Sequence, residues 1–314
     1  MPALPPSILI ALGGNAIVRP GERGTIEQQF ARTRETMARI ADLVGDASPR
    51  LVITHGNGPQ VGDVLLRGEL AKTDMGPIPL DVAVADTQGG MGYMIATALR
   101  AALDARSIRR EVAAVVTTVT CDPADAAFAD PSKPVGAFYP SLALARRPGW
   151  VVKEFPPRGF RRVVPSPRPI DVLEKRVVRS LYDAGVIVVA AGGGGVPVVR
   201  EKDGRLRGVE AVVDKDLTSA ILASNLGVDT FAVATGVDRI MIDYGSTKAR
   251  AIDRATPAQL RAWRDEGQFP PGTMGPKVDA ALEFLARGGA RVVVTSDDLI
   301  AAGIRGEGGT QIAG

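Results

Sequence analysis

Three runs of β-favouring apolar residues in this chain each lead directly into a cluster of glycines. The runs end at Gly13-Gly14-Asn15, at Gly56-Asn57-Gly58 and at Gly192–Gly195. In an open α/β sheet, ligands bind beyond the carboxyl ends of the strands, where a glycine turn lets backbone N–H groups approach an anion. A helix that follows the turn adds its positive end. Three such turns predict a site that holds several phosphate-like groups.

Strand-like and helical segments alternate along most of the 314 residues. The predicted strands cover residues 8–12, 51–54, 112–117, 186–191, 230–234 and 291–295, with a hairpin over 196–200 and 205–213. The predicted helices cover residues 25–45, 81–105, 170–184, 214–226 and 256–266, with two more that start near Pro59 and at Pro276. This alternation is typical of the α/β class, in which helices cover both faces of a mainly parallel sheet.

The alternation stops between Cys121 and Pro169, a segment that holds 10 of the 23 prolines in the chain. Prolines at this density are incompatible with a long helix or a central strand. We interpret the segment as an inserted flap or small subdomain, and a structureless surface loop is the alternative. Long structureless loops are uncommon in compact domains, which favours the subdomain.

Composition limits the classes of function. The net charge is only +3 and aromatic residues make up 4% of the chain, so we expect small anionic substrates rather than a nucleic acid. The single cysteine, Cys121, excludes an intramolecular disulfide and favours a reducing compartment. No apolar run approaches the ~20 residues that span a membrane, and the first seven residues lack the features of a signal peptide. We therefore expect a cytoplasmic protein without a membrane partner.

Lysines at predicted helix starts supply a second signal. The dipeptide Gly-Lys never occurs and no G-x-G-x-x-G follows a strand, so both common nucleotide motifs are absent. Lys215 lies within Asp214-Lys215-Asp216, Lys277 begins the last long helix, and Lys133 lies in the proline-rich segment. Phosphoryl transfer depends on alignment and on stabilisation of charge on the transferred oxygens. Lysine charges beside backbone N–H groups suit that task, and Asp216 is placed to orient two of them.

Each of these signals has a plainer interpretation. A single lysine at a helix start is usually a solvated surface residue, and Asp214 alone predicts only an N-cap. A glycine cluster can be a tight turn without a ligand. His55 is the only histidine, and with one cysteine beside it we expect no zinc site. We expect His55 to serve in packing or hydrogen bonding.

Taken together, the motifs resemble those of carbamate kinases in the amino acid kinase superfamily, nearly end to end. The resemblance rests on the segments Ala11–Ala16, Thr54–Gly62, Pro131–Pro134, Arg161–Pro167, Gly192–Pro197, Val213–Leu217 and Met274–Val278. It implies a three-layer α/β sandwich with a mainly parallel open central sheet and a small protruding lid. It also implies one domain over 1–314, divided into an acceptor lobe (1–190, with the lid at 121–169) and a nucleotide lobe (191–314).

The resemblance implies reversible phosphoryl transfer between carbamoyl phosphate and ADP, which gives ATP and carbamate. It further implies Mg²⁺ bound with the nucleotide, a homodimer, and a role in the breakdown of arginine or another nitrogen compound. Acetylglutamate kinases carry a lysine just before the first glycine pair, where this chain has Ala11. In the carbamate kinase pattern, Lys215 supplies that charge instead.

Site residues are carried over from the same resemblance. The catalytic set is Lys133, Lys215, Asp216 and Lys277. The transferred phosphate and the carbamate are expected at Gly13, Gly14, Asn15, Gly56, Asn57 and Gly58. The nucleotide is expected at Asp214, Thr235, Val237, Tyr244, Met274 and Gly275. We expect no metal ligand from the chain itself, since Mg²⁺ usually keeps phosphate oxygens and several waters.

Three alternatives stay open at this point. A kinase of the same fold that acts on another small carboxylic or acylamino acid would need a larger pocket, for which Arg158, Arg161 and Arg162 are available. A nucleotide sensor without activity is disfavoured by the retained lysines. An oxidoreductase is disfavoured by the missing dinucleotide motif.

Overall fold

The computed structural model describes residues 4–19 and 21–314, so part of the segment in which we expect no signal peptide lies outside it. Its helices are α1 (Ile26–Ala47), α2 (Gly58–Met75), α3 (Leu80–Asp104), α4 (Leu142–Ala145), α5 (Lys175–Asp183), α6 (Lys215–Leu226), α7 (Pro257–Asp265), α8 (Met274–Ala286) and α9 (Ile300–Arg305). Its first strands are β1 (Ser7–Leu12), β2 (Arg50–His55), β3 (Val112–Ala114), β4 (Thr118–Cys121), β5 (Lys133–Tyr139), β6 (Val151–Phe155), β7 (Gly159–Val164) and β8 (Pro169–Val172). The later strands are β9 (Ile187–Val189), β10 (Val196–Arg200), β11 (Leu206–Gly208), β12 (Thr230–Thr235), β13 (Met241–Ile242), β14 (Arg250–Ala251), β15 (Arg254–Ala255), β16 (Arg291–Ser296) and β17 (Thr310–Ala313).

An eight-stranded sheet forms the centre of the molecule, in the order β15-β17-β16-β12-β1-β2-β9-β3. Every neighbouring pair in it is parallel except β16 and β17. Because parallel strands need long crossover connections, the helices are carried to both faces of the sheet. The predicted mainly parallel α/β sheet is confirmed.

Strand β1 shows how the sheet separates two cores. All six of its residues are buried. Leu9 and Ala11 pack on the face covered by α6 and α8. Ile8, Ile10 and Leu12 pack on the opposite face, with side chains from α1, α3 and α9. A strand buried on both faces is apolar throughout rather than alternating, which explains the unbroken apolar runs in the sequence.

Several helices begin or end at the residues that local sequence signals predicted. Thr25 and Gln28 form the predicted capping box at the start of α1, each side chain bonding to the other residue's backbone N–H. Asp214 caps α6 by accepting a hydrogen bond from the N–H of Asp216 at 2.9 Å. Gly227 ends the same helix in the left-handed region, at φ 62°. Helix α8 begins at Met274, two residues before the predicted start.

The strand predicted over residues 112–117 is wrong in its second half. Strand β3 ends at Ala114, and the chain then leaves the central sheet for a second sheet of order β11-β10-β4-β8. The side chain of Gln88 explains the change, because its Oε1 accepts hydrogen bonds from both N–H and Oγ1 of Thr117 at 3.0 Å. That backbone donor is therefore satisfied by a side chain rather than by a neighbouring strand.

The helix predicted over residues 170–184 is also partly wrong. Its first residues form β8, which pairs antiparallel with β4, and the helix α5 begins only at Lys175. The carboxylate of Glu174 accepts the N–H of Thr118 at 2.6 Å, which ties the end of β8 to the start of β4. Pairing with a distant strand thus overrides the local helical pattern.

The proline-rich segment is a small ordered sheet and not a structureless loop. Cys121 lies opposite Pro169 where β4 and β8 pair, so the two ends of the segment meet. Between them, β5, β7 and β6 form an antiparallel sheet, which we call the insert. Pro134 lies in β5, which pairs only with β7. A proline is tolerated there because an edge strand has an unused N–H side.

None of the described helices combines the length and the apolar character needed to cross a bilayer.

Candidate active site

The carboxyl ends of β1 and β2 bring the first two glycine clusters together. The N–H of Gly56, just after β2, donates to the carbonyl of Leu12 at the end of β1, at 3.3 Å. Gly14 and Gly58 have no atom within 4 Å of the position that a Cβ would take. Asn15 belongs to the 3-10 turn Gly14–Ala16 by its backbone, and its side chain lies outside the described residues.

The third glycine cluster packs directly on the second. A Cβ on Gly192 would lie 2.4 Å from Nε2 of His55, and one on Gly193 would lie 2.1 Å from Nδ2 of Asn57. Gly193 also has a φ of 65°, in the left-handed region that disfavours side chains. The glycines at 192 and 193 are therefore required by close approach to the second cluster.

Asn57 is fixed at the start of α2 by a short chain of buried hydrogen bonds. Its Nδ2 donates to Oγ1 of Thr87 at 2.9 Å, and that hydroxyl donates to the carbonyl of Val84 at 2.8 Å. The amide nitrogen is thus committed to the protein, and Asn57 lines the cavity described below together with Gly56 and Gly58.

Lys215, Asp216 and Lys277 form a largely buried charged group at the starts of α6 and α8. Nζ of Lys277 donates to Oδ2 of Asp216 at 2.8 Å, and Nζ of Lys215 lies 3.3 Å from Oδ1 of the same carboxylate. Nζ of Lys215 also donates to the carbonyl of Leu12 at 2.6 Å. Asp216 therefore holds two lysines that come from different helices. The ammonium group of Lys215 reaches the carboxyl end of β1.

Burial and charge act against each other within this group. Burial lowers the pKa of Lys215 below its ordinary value, although Asp216 opposes the change. Burial also disfavours the charge of Lys277, but the hydrogen-bonded Asp216 outweighs it and the pKa of Lys277 is raised. The carboxylate of Asp216 is buried too, yet the two ammonium groups keep its pKa below the ordinary value. Pairing with Asp216 thus outweighs burial for Lys277 but not for Lys215.

Lys133 reaches the same group from the insert. Its Nζ donates to Oδ2 of Asp214 at 3.0 Å, while Oδ1 of Asp214 caps α6. Asp214, which was predicted to bind the nucleotide, therefore pairs with Lys133 of the insert. Asp214 directly precedes Lys215 in the chain. The four charged residues expected to be catalytic lie around one space.

Two cavities meet at this point. The small cavity, about 210 Å³, is lined by Gly56, Asn57, Gly58, Val61, Lys133, Pro134, Val135, Gly193, Val212, Val213, Asp214, Lys215, Asp216, Gly272, Thr273 and Lys277. The large cavity, about 490 Å³, is lined by Thr235, Gly236, Val237, Arg239, Met241, Tyr244, Gln268, Phe269, Pro270, Gly272, Thr273, Met274 and Lys277. Gly272, Thr273 and Lys277 line both, so the lysine lies at the junction.

Most of the residues predicted to bind a nucleotide line the large cavity. They are Thr235, Val237, Tyr244 and Met274. Gly275 does not line it: its N–H donates to the carbonyl of Pro270 at 3.1 Å, and a Cβ would lie 3.2 Å from the same oxygen. Gly275 thus serves the close packing of the turn before α8.

Sequence reasoning missed the loop that forms the other wall of the large cavity. Gln268, Phe269 and Pro270 lie there, just before α8. Gln268 is held by Asp243, whose N–H donates to Oε1 at 2.8 Å and whose Oδ1 accepts from Nε2 at 3.3 Å. Two prolines and a glycine follow Phe269 in the sequence, and this combination indicates a loop.

Gly13 makes a contact that the sequence did not predict. Its N–H donates to Oδ1 of Asp297 at 3.1 Å, in a buried contact between residues 284 apart. A Cβ at Gly13 would lie 2.9 Å from Oδ2 of Asp297 and 3.0 Å from the carbonyl oxygen of Ala234. Close packing on Asp297, and not a positive φ, therefore requires the glycine. An aspartate directly after the last clear strand is the signal that could have drawn attention to it.

His55 is buried among these elements and is uncharged at neutral pH. Burial lowers its pKa from 6.5 to about 4. Its Nδ1 lies 3.1 Å from the carbonyl of Gly56, which can only accept, so Nδ1 carries the proton. The expected packing and hydrogen-bonding role agrees with this geometry.

The described residues do not build a protein-held metal site. Over 4–19 and 21–314, no three His, Cys, Asp or Glu side chains cluster in the way that a metal ion requires. Asp214 and Asp216 each give one carboxylate oxygen to a lysine ammonium.

Comparison with known proteins identifies the family of this chain. A model of the amino acid kinase family matches residues 6–296. The chain is 45% identical over 310 residues to a carbamate kinase of Thermococcus kodakarensis, covering 97% of this chain and 98% of that protein. It is 42% identical over 314 residues to a carbamate kinase of Pyrococcus horikoshii, covering 98% and 99%. A carbamate kinase from Giardia lamblia bound to AMP-PNP is 36% identical, with a TM-score of 0.92 over 100% of this chain and 99% of that one. The chain therefore belongs to the amino acid kinase family and, within it, to the carbamate kinases.

Proposed function

We propose that this chain transfers a phosphoryl group reversibly between carbamoyl phosphate and ADP. The observation that carries the proposal is the junction of two cavities at one buried charged group, Lys215, Asp216 and Lys277. A nucleotide in the large cavity and a small phosphorylated acid in the small one would meet at Lys277. The similarity to a carbamate kinase bound to AMP-PNP supports the nucleotide assignment.

In the direction of ATP formation, a terminal oxygen of ADP attacks the phosphorus of carbamoyl phosphate. The bond between that phosphorus and the carbamate oxygen breaks, and carbamate leaves with the electron pair. No side chain has to take a proton in this step, which agrees with a neutral buried His55. The chain supplies alignment and charge: Lys215 and Lys277 would stabilise the transferred oxygens, and Asp216 holds both lysines in place.

The position of Lys215 supports its assigned role. Its Nζ bonds to the carbonyl of Leu12, at the end of the strand where related kinases carry a lysine and this chain has Ala11. A charge from α6 is thus delivered to the first glycine cluster. The backbone around Gly14, Gly56 and Gly58 would hold the phosphate, with Gly14 and Gly58 open to a ligand.

The lining of the small cavity favours carbamate over a larger acceptor, because it contains no arginine. The three arginines that would suit a larger acid lie elsewhere: Arg158 and Arg161 stack on the ring of Phe138, and Arg162 pairs with Glu210. None of them lines the small cavity, so a kinase for an acylamino acid is the weaker candidate.

We also propose the wider organisation that the resemblance implies. Residues 191–314 would bind the nucleotide, since the large cavity is lined only by residues from 235 onward. Residues 1–190 would bind the acceptor, with the insert delivering Lys133. Mg²⁺ would enter on the nucleotide and draw charge from the transferred phosphate. Exposed apolar side chains on α2 and α3, Leu66, Leu70 and Tyr93, suit the surface of a homodimer. The chain would act in the cytoplasm.

The test is an acceptor panel. ATP formation from ADP and carbamoyl phosphate is measured beside ADP formation from ATP with acetate, N-acetylglutamate or aspartate. We expect carbamoyl phosphate to support turnover at least about 100-fold faster than any of these acids, because an acceptor that does not fit loses alignment. Comparable turnover with an acylamino acid would move the assignment to the alternative kinase, and no turnover with any donor would indicate a nucleotide sensor.

A further inference from the structure

We propose that Asp297 is a positioning residue of the transfer site, which fixes the first glycine turn and supplies negative charge that keeps Lys215 protonated. The inference rests on the phosphoryl transfer proposed above and adds a residue to it. Asp297 lies directly after β16, two strands away from the end of β1 in the central sheet. It was not part of any motif in the sequence.

The contact with Gly13 is the geometric basis. Oδ1 of Asp297 accepts the N–H of Gly13 at 3.1 Å, across the end of β12. Oδ2 is buried and has no hydrogen-bond partner within residues 4–19 and 21–314, and Asp297 is only 5% exposed. A buried carboxylate oxygen without a partner costs free energy, so the carboxylate has to be offset by charge nearby. Burial raises the pKa of the Asp297 carboxyl above its ordinary value, and Lys215 is the cation that most opposes this change.

The charges around Lys215 come from several elements. Asp216 lies on the same helix and Asp214 is its cap, while Lys277 faces it from α8 and Asp297 from the end of β16. His55, at the end of β2, is neutral and interacts with Lys215. With Lys133 bound to Asp214, the three lysines and three aspartates of the site balance. Removal of Asp297 would leave Lys215 buried with less compensating charge.

The balance explains why an acidic side chain is useful in an anion site. Burial already lowers the pKa of Lys215. A lysine that loses its proton before the substrate arrives cannot stabilise the transferred oxygens. Asp297 does not line the small cavity, so it can hold the Gly13 turn without occupying the space for the phosphate.

A pair of substitutions separates the charge of Asp297 from its hydrogen bond. Asp297→Asn keeps an oxygen that accepts the Gly13 N–H and removes the charge. Asp297→Ala removes both. Asp298→Asn is the control, because it removes the neighbouring carboxylate, whose side chain is 60% exposed and pairs with Arg39 on the surface. Two readouts are used: the pH dependence of kcat for ATP formation, and the titration of Lys215 by ¹³Cε NMR of lysine-labelled protein without substrate, its signal identified by its loss in Lys215→Ala.

We expect Asp297→Asn to lower the pKa of Lys215 by about one unit and to move the alkaline limb of kcat down by the same amount. The KM for ADP should stay within about twofold, since Asp297 does not line the large cavity. Asp297→Ala should show the same shift with a further loss in kcat of at least about tenfold, because the Gly13 turn loses its anchor. Asp298→Asn should match the wild type in both readouts.

A Lys215 titration in Asp297→Asn that matches the wild type would overturn the proposal, even if Asp297→Ala were inactive or unfolded. In that case Asp297 is a structural anchor of the turn and no more. Absence of ATP formation by the wild type would instead contradict the proposed function. The NMR titration needs no substrate, so it decides the role of Asp297 in either case.

Discussion

Burial of the His55 imidazole determines its protonation state. Its imidazole lies against Gly192 and Gly56, and burial lowers its pKa from 6.5 to about 4. Between these two values the unfolded chain binds a proton that the folded chain excludes. The folded state is therefore stabilised at neutral pH, and this contribution is lost as the pH falls from about 6.5 toward 4.

This predicts a pH-dependent stability that belongs to one residue. Between pH 8 and pH 5, His55 should cost the wild type about 2 kcal/mol of its free energy of unfolding. His55→Asn retains a donor for the Gly56 carbonyl but does not titrate. In urea unfolding at several pH values, the stability advantage of the wild type over this variant should shrink by about that amount at pH 5. An advantage that does not change with pH would show that His55 is not held neutral by burial.

The close packing at Gly193 gives a second prediction for a single residue. Gly193→Ala would place a Cβ 2.1 Å from Nδ2 of Asn57, so the amide must move and its bond to Thr87 is lost. Gly204 is the matched control, since its φ of 87° is also positive but no atom lies within 4 Å. We expect Gly204→Ala to cost about 1 kcal/mol of unfolding free energy, and Gly193→Ala to cost at least about 2 kcal/mol more and to lose ATP formation. Equal costs in urea unfolding would contradict the close packing of the two clusters.

At the scale of elements, the ion pair of Lys133 links the insert to the charged residues of the site. Lys133 lies at the first residue of β5 and bonds to Asp214 at the cap of α6. Lys153, in β6 of the same small sheet, pairs with Asp130 and is exposed. The two lysines thus share a sheet and differ in what they reach.

This difference predicts the effects of their removal. Lys133→Ala should lower kcat/KM for carbamoyl phosphate by about tenfold to 100-fold, because one charge at the small cavity is lost. The KM for ADP should change by less than about twofold, since Lys133 does not line the large cavity. Lys153→Ala should resemble the wild type. If the two variants behave alike in steady-state kinetics, the insert does not contribute a residue to the reaction.

Elements with strong local patterns could be predicted from the sequence. The apolar runs of the central sheet, the capping box at Thr25 and the cap at Asp214 depend on neighbours in the chain, and all are found. The helix predicted from residue 170 failed at β8, because pairing with β4 depends on residues about 50 positions away. The strands of the insert were hidden by prolines, which an edge strand tolerates.

The site could be predicted only as far as its motifs extend. Lys133, Lys215, Asp216 and Lys277 each lie in a recognisable segment, and the structure brings all four together. Asp297 could not be found in this way because its partner Gly13 lies 284 residues earlier. The wall of the large cavity at Gln268 and Phe269 likewise depends on how a loop folds against β12 and its extension.

At the scale of the whole molecule, the parallel sheet explains why such distant residues meet. The ends of β1, β2, β9, β12 and β16 lie along one edge, and the starts of α2 and α6 follow from the same side. The turns at these strand ends thus lie around two joined cavities. The amino acid kinase fold supplies the frame, and the lysine at position 215 supplies charge where the chain has Ala11.

The most direct measurement compares Lys215→Ala with the wild type in ATP formation and in AMP-PNP affinity. Lys175→Ala is the control, because Lys175 is also the first residue of a helix but pairs with Asp171 outside the site. We expect Lys215→Ala to lose kcat by about 100-fold to 1,000-fold, while the Kd for AMP-PNP changes by less than about fivefold. Lys175→Ala should be unchanged in both. Turnover of Lys215→Ala within about threefold of the wild type would contradict phosphoryl transfer at the Lys215, Asp216 and Lys277 group.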